Sequence, residues 1–167
     1  MTIVVEDGTG KINAESYISV ADATTYHAAR GNAAWAALAT DAVREQSLRK
    51  ATEYMGQVYR LRWKGARYTT TQALDWPRSN VYVDSATVIE NDDVPVEVVR
   101  ACAEYALKAS AATLYADEDR AAIREKVGPI ETEYSAFSSQ TKRYPSIDAL
   151  LAPYLSGGNG QYLVART

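Results

Sequence analysis

Apolar residues recur at helical spacing in two long stretches of the chain. Val43, Leu48, Ala51, Met55 and Val58, with Tyr54 beside them, mark one face of a helix expected from a Thr40 cap to about Tyr59. Arg44, Glu45, Arg49, Lys50 and Glu53 fall mostly on its other face. Val98, Ala101, Cys102, Tyr105, Ala109 and Ala112 mark a second, opened by Asn91-Asp92-Asp93-Val94-Pro95 and ending near Tyr115. Val20, Ala23, Tyr26 and His27 predict a shorter helix behind a Ser19 cap supported by Asp22. Arg30-Gly31-Asn32 ends it, and Ala33–Leu38 makes a short helical piece around Trp35. Ile147, Leu150, Leu151 and Tyr154 predict a last helix capped by Ser146. Asp117–Lys126 reads as one more charged helical piece.

Strand-like alternation is confined to short segments. Val81 and Val83, then Thr87, Val88 and Ile89, predict a β-hairpin or projecting loop turning at Asp84-Ser85-Ala86. After the Gly128-Pro129 breaker, Ile130, Thr132 and Tyr134 alternate with Glu131, Glu133 and Ser135, a strand with one acidic face that calls for a partner strand. Thr2–Val5 is β-prone and precedes an Asp7-Gly8-Thr9-Gly10 turn. Ser156-Gly157-Gly158-Asn159-Gly160 reads as a linker to the apolar tip Tyr162, Leu163 and Val164. The expected fold is therefore mainly α: a small helical bundle with a β-hairpin or short-strand insertion. It forms a single domain over residues 1–156, followed by a flexible C-terminal arm over 157–167.

Between the two long helices lies Thr69-Thr70-Thr71-Gln72-Ala73-Leu74-Asp75-Trp76-Pro77-Arg78. Thr69 and Gln72 have the spacing of a capping box, which predicts a short helix over about Thr70–Asp75 that Pro77 terminates. Trp76 then leaves at a fixed angle as a packing anchor, with Arg78 placed to pair with a carboxylate or stack on a ring.

Charge narrows the function classes. The net charge is −3, which argues against a general nucleic-acid binder. One run departs from that balance: Tyr59-Arg60-Leu61-Arg62-Trp63-Lys64-Gly65-Ala66-Arg67-Tyr68 is basic and aromatic. Cations for phosphates and rings for bases are the expected footprint of single-strand binding. The competing reading is structural: cations offset the dipole of the preceding helix, and Trp63 and Tyr68 anchor packing or subunit contacts.

Catalytic chemistry finds no constellation. One histidine excludes a multi-His metal site, and one cysteine excludes both an internal disulfide and a Cys-ligated metal. His27 and Cys102 read as core residues, and the chain is read as a non-enzyme without a cofactor. Gly8-Thr9-Gly10-Lys11 lacks phosphate-loop spacing. The start of the chain has no signal-peptide pattern, and no apolar run has the length of a membrane span.

Several blocks carry a resemblance. Gln72-Ala73-Leu74 followed by Trp76-Pro77-Arg78, Val5-Glu6-Asp7-Gly8-Thr9-Gly10, Asn13-Ala14-Glu15-Ser16-Tyr17-Ile18-Ser19-Val20, Arg30-Gly31-Asn32 and Trp35 stand in the order found in a tailed-phage family. The likeness runs from about Val4 to Leu155. That family carries two labels, DnaT-like single-stranded-DNA-binding protein and head–tail connector (adaptor). The adaptor label implies a structural neck protein of the virion, assembled in the host cytoplasm. Its partners would be copies of itself in a twelvefold ring, the portal protein, and a stopper or tail-terminator protein, with packaged duplex passing through. Under that label Gln161, Tyr162, Leu163, Val164, Ala165 and Arg166 form a portal-binding arm. Glu131 and Glu133 face the channel lumen, and Arg62, Trp63, Trp76 and Arg78 serve packing or subunit contacts. The other label implies a replication protein that binds single-stranded DNA through Tyr59, Arg60, Arg62, Trp63, Lys64, Arg67 and Tyr68. A scaffold or chaperone of capsid assembly is a third reading. The adaptor is the expectation carried forward.

Overall fold

A computed structural model describes residues 2–84, 87–115, 124–127, 130–133 and 142–157, with backbone alone for 124–127 and 130–133. Helices dominate: α1 (Val20–Ala28), α2 (Ala33–Ala36), α3 (Asp41–Tyr59), α4 (Val96–Ala111) and α5 (Pro145–Leu151), the last running into a 3-10 turn over Ala152–Tyr154. Three two-stranded antiparallel pairs accompany them among the described residues. β1 (Ala66–Arg67) pairs with β2 (Arg78–Ser79), and β3 (Val81–Tyr82) with β4 (Val88–Ile89). The third pair is β5 (Arg124–Val127) with β6 (Ile130–Glu133).

The central pair is α3 on α4. Leu48, Ala51, Thr52, Tyr54, Met55 and Tyr59 meet Val98, Ala101, Cys102, Tyr105, Ala106 and Ala109, and all are buried. The alanines let the helices approach closely, and larger side chains fill the ends. Each fully buried Leu, Met or Val contributes about 1.5–3 kcal/mol of transfer free energy. Cys102 is buried between the hydroxyls of Thr52 (3.4 Å) and Ser16 (3.7 Å), and burial pushes its thiol pKa up. α1 lies across this pair. Its His27 is fully buried, with Nε2 3.1 Å from the Ala103 carbonyl and Nδ1 3.0 Å from the Asn32 side-chain amide. Trp35 covers His27 at 4.8 Å and donates its indole N–H to Thr24.

Local capping is as the sequence predicts at two helices. The Ser19 hydroxyl accepts from the Asp22 N–H, and the Thr40 hydroxyl from the Val43 N–H. The 81–89 segment is a hairpin, with the Asp84 carboxylate accepting from the Thr87 N–H at 2.7 Å.

Four expectations are corrected. Residues 70–75 form no helix, although the Thr69–Gln72 box closes in both directions at 2.7 and 3.1 Å. The N–H groups a helix would use go elsewhere: Ala73 donates to the Lys11 carbonyl, and Asp75 and Trp76 both donate to the Tyr17 hydroxyl. The segment ends at a cis Trp76–Pro77 peptide. Second, α4 stops at Ala111, because Ala112 is already extended. Third, α5 is entered through Tyr144 and Pro145, and no side-chain hydrogen bond caps it. Fourth, the end of the expected 117–126 helix is strand: Arg124 and Lys126 stand opposite Glu133 and Glu131. The acidic strand's partner is thus the chain just before it. The apolar tip, Gln161–Thr167, lies outside the described residues.

Candidate nucleic-acid interface

The basic run leaves the end of α3 and is held from two sides. Arg62 and Trp63 donate their N–H groups to the Tyr59 carbonyl, which closes the helix. Behind them the end of the last helical region is laid against the run. Trp63 makes an antiparallel bridge with Leu155, Lys64 N–H donates to the Tyr154 carbonyl, and Ser156 donates its N–H and hydroxyl to the Arg62 carbonyl.

Arg78 holds the other side. It is buried, and its guanidinium donates to the carbonyls of Lys64 (2.8 Å), Gly65 (2.8 Å) and Asp75 (3.1 Å). Burial lowers its pKa. The planar fork holds three carbonyls on two chain segments in a fixed geometry that a lysine ammonium does not have. Gly65 sits at φ +66°, and a Cβ there would fall 2.2 Å from the Ser79 carbonyl oxygen, so β1 can lie on β2 only with glycine at this turn.

This scaffold divides the run into inward and outward parts. Tyr59 is fully buried, its hydroxyl 2.6 Å from that of Tyr105 and donating to Asp148. Trp63 is buried edge-on to Trp76 at 5.7 Å. A base needs an open ring face. Tyr59 and Trp63 are therefore removed from the expected single-strand site: their faces are covered by α4, Trp76 and each other. Trp76 and Arg78 are likewise packing and clamping residues.

The outward part keeps the cations. Arg60 is 59% exposed at its side chain while its Nε donates to buried Asp75 at 3.0 Å. The Arg62 guanidinium is half-buried over the Tyr59 ring at 5.6 Å. Arg67 is exposed on β1 and donates to the Gln72 carbonyl. Lys64 is half-buried and donates to the carbonyls of Pro153 (2.8 Å) and Tyr82 (3.0 Å). Leu61 stands free at 97% exposure, and the Tyr68 ring is 45% exposed. From Tyr59 to Val83 the chain carries Arg60, Arg62, Lys64, Arg67 and Arg78 against one acid, Asp75, which Arg60 neutralises.

Sequence reasoning missed Tyr82. It is 53% exposed on the β3–β4 hairpin and lines a groove of about 480 Å³ with Lys64, Asn80, Asp84 and Ser156. The usable signal was the alternation itself, since Val81 is buried and the next residue must point out. The outward set can pair with phosphates and offers Tyr68 and Tyr82 as open rings. Among the described residues no group of three His, Cys, Asp or Glu could hold a metal. No described helix is long and apolar enough to cross a membrane.

A family model described as "Putative DnaT-like ssDNA binding protein" matches residues 1–167. Neither a curated protein nor a solved structure matches the chain. The family match overturns the head–tail adaptor reading: the whole chain aligns with a family described by single-strand binding, and nothing in the comparison points to a neck, a portal or a virion. The lumen residues Glu131 and Glu133 and the portal-binding arm were parts of that reading. The two glutamates lie on β6.

Proposed function

The chain belongs to that DnaT-like family, and on that premise we propose that it binds single-stranded DNA through the outward face of residues 60–68. The residues placed on the strand are Arg60, Arg62 and Arg67 for phosphates and Tyr68 for a base, with Tyr82 beside them. The observation that carries the assignment is the separation within one run: its tyrosine–tryptophan pair is spent on the core, while its arginines and Tyr68 remain at the surface. A rigid loop presents these groups without first having to order itself, which lowers the cost of binding.

The net charge of −3 sets the character of the interaction. The protein as a whole repels a polyanion, so attraction is confined to this patch and falls quickly with salt. Three arginines on three phosphates give a slope of log K against log salt of about −2 for a single strand.

The test is fluorescence anisotropy of a labelled single-stranded oligonucleotide across a salt series. The informative variant is Arg62→Ala with Arg67→Ala. Arg60 is kept because it neutralises buried Asp75, and Lys64 because its ammonium ties two chain segments together. The expected result is a slope shallower by about 1.4, since each phosphate contact carries about 0.7. An unchanged slope, with the variant folded, would remove this face from the interaction.

A further inference from the structure

A second surface feature lies on the same helix. The side chains of Lys50, Glu53, Tyr54 and Gln57 on α3 form one wall of a cleft of about 460 Å³. The other wall is the last turn of α4 and the chain after it, from Ala109 to Tyr115. The Tyr115 ring is 57% exposed and stands 6.4 Å from the ring of Tyr54, which is itself backed by Tyr105 and Tyr144.

The cleft is not isolated from the basic loop. Glu53 and Gln57 also line a neighbouring groove of about 780 Å³ that reaches Arg60 and Leu61. The ridge Glu53–Gln57–Arg60–Leu61 therefore runs from the cleft to the arginine face, one helical turn at a time.

We infer that this cleft receives one unstacked base of the bound strand, an inference that rests on the single-strand reading above. Four features fit a base better than a peptide side chain. Tyr115 offers an open aromatic face. Ala109, Ala111 and Ala112 give a wall without bulk, so a flat ring can slide in. The end of α4 presents backbone carbonyls that have no intrahelical donor, and Glu53 and Gln57 add side-chain acceptors. Lys50 at the margin supplies a cation for the phosphate of the same nucleotide.

The acceptor excess also chooses among bases. Cytosine, adenine and guanine carry an exocyclic amine that can donate to carbonyl and carboxylate oxygens, whereas thymine offers only its ring N3–H. Glu53 repels phosphate, so the backbone lies outward toward Lys50 while the base points in. The strand is thus read by its amine at this cleft and by its charge at the arginine face.

The test compares oligo-dC and oligo-dT binding by the full chain, with Tyr115→Ala, Tyr115→Phe and Lys50→Ala, each first checked for an unchanged melting temperature. Wild type is expected to bind oligo-dC more tightly. Tyr115→Ala is expected to weaken oligo-dC roughly tenfold, the size of one base–aromatic stack, and Tyr115→Phe to restore it. Lys50→Ala is expected to reduce the salt slope by about 0.7. If Tyr115→Ala and Lys50→Ala bind as wild type while the Arg62/Arg67 variant loses affinity, the cleft is not a base site and the arginine face stands alone. If wild type binds neither oligonucleotide at any salt, both readings fall.

Discussion

Residues 60–68 and residues 69–78 are neighbours, and both are rich in aromatic and ionisable side chains, yet the fold uses them in opposite ways. In the second segment the buried polar side chains Gln72, Asp75 and Arg78 are consumed internally. Arg78 gives its guanidinium to three carbonyls, and the Gln72 side chain serves Thr69, Leu74 and Pro77. Asp75 faces Arg60, and Tyr17 takes two backbone donors. In the first segment the backbone is pinned from behind while the arginine side chains and Tyr68 stay at the surface. A cation count along the sequence does not separate these cases. What matters is whether the side chain is buried, as Arg78 is, or stays at the surface, as Arg60 and Arg67 do.

Substitutions sharpen the contrast, beginning with the inner segment. Trp76→Ala removes a fully buried indole wedged against Trp63 and Tyr154. It is expected to destabilise by about 3–5 kcal/mol in urea unfolding. A loss under about 1 kcal/mol would mean that the aromatic cluster is not the keystone of this region. Arg78→Lys keeps the charge and loses the fork. A loss of about 1.5–3 kcal/mol is expected, with weaker single-strand binding because the 64–65 loop is no longer held. If binding survives intact, the clamp does not shape the interface. Thr69→Ala opens one half of the capping box and is expected to cost about 1 kcal/mol. In the outer segment, Leu61→Ser should change stability by no more than about 0.5 kcal/mol. A larger change in melting would show that the exposed run is less separate from the core than its accessibility implies.

How much of this was legible depended on the reach of the interactions. Caps at Ser19 and Thr40 close within three residues, so the sequence shows them and the helices they start. The Thr69–Gln72 box is equally local and does form. Its expected helix does not, because the next donors are taken by Lys11 and Tyr17, about sixty residues earlier. Tyr59 and Trp63 looked like stacking rings for the same reason: what covers them arrives from α4 and from residues 148–155. The arginines of the proposed interface were legible as a run without acids. The α3–α4 cleft was not, since Lys50 and Tyr115 are far apart along the chain.

The opening turn shows a related economy. The buried Glu6 carboxylate accepts N–H groups from Gly8, Gly10 and Lys11. Gly8, at φ +100°, lies so close to Asp92 that a Cβ would sit 1.8 Å from its carbonyl oxygen. The Glu6–Gly10 block of the sequence is therefore a fastening for the entry to α4.

The imidazole between α1 and α4 gives the protein an acid limit. His27 is buried, and desolvation lowers its pKa from the usual histidine range. The Ala103 carbonyl and the Glu104 carboxylate favour the proton, and Arg30 opposes it. The folded chain keeps this ring neutral where an unfolded chain would protonate it. Stability from this source is complete above the unfolded-state pKa of about 6.5 and drains away as pH falls toward the lower folded value. Melting temperature should therefore decline on mild acidification in wild type and decline less in His27→Gln, which makes the seam between these helices sensitive to a drop in pH.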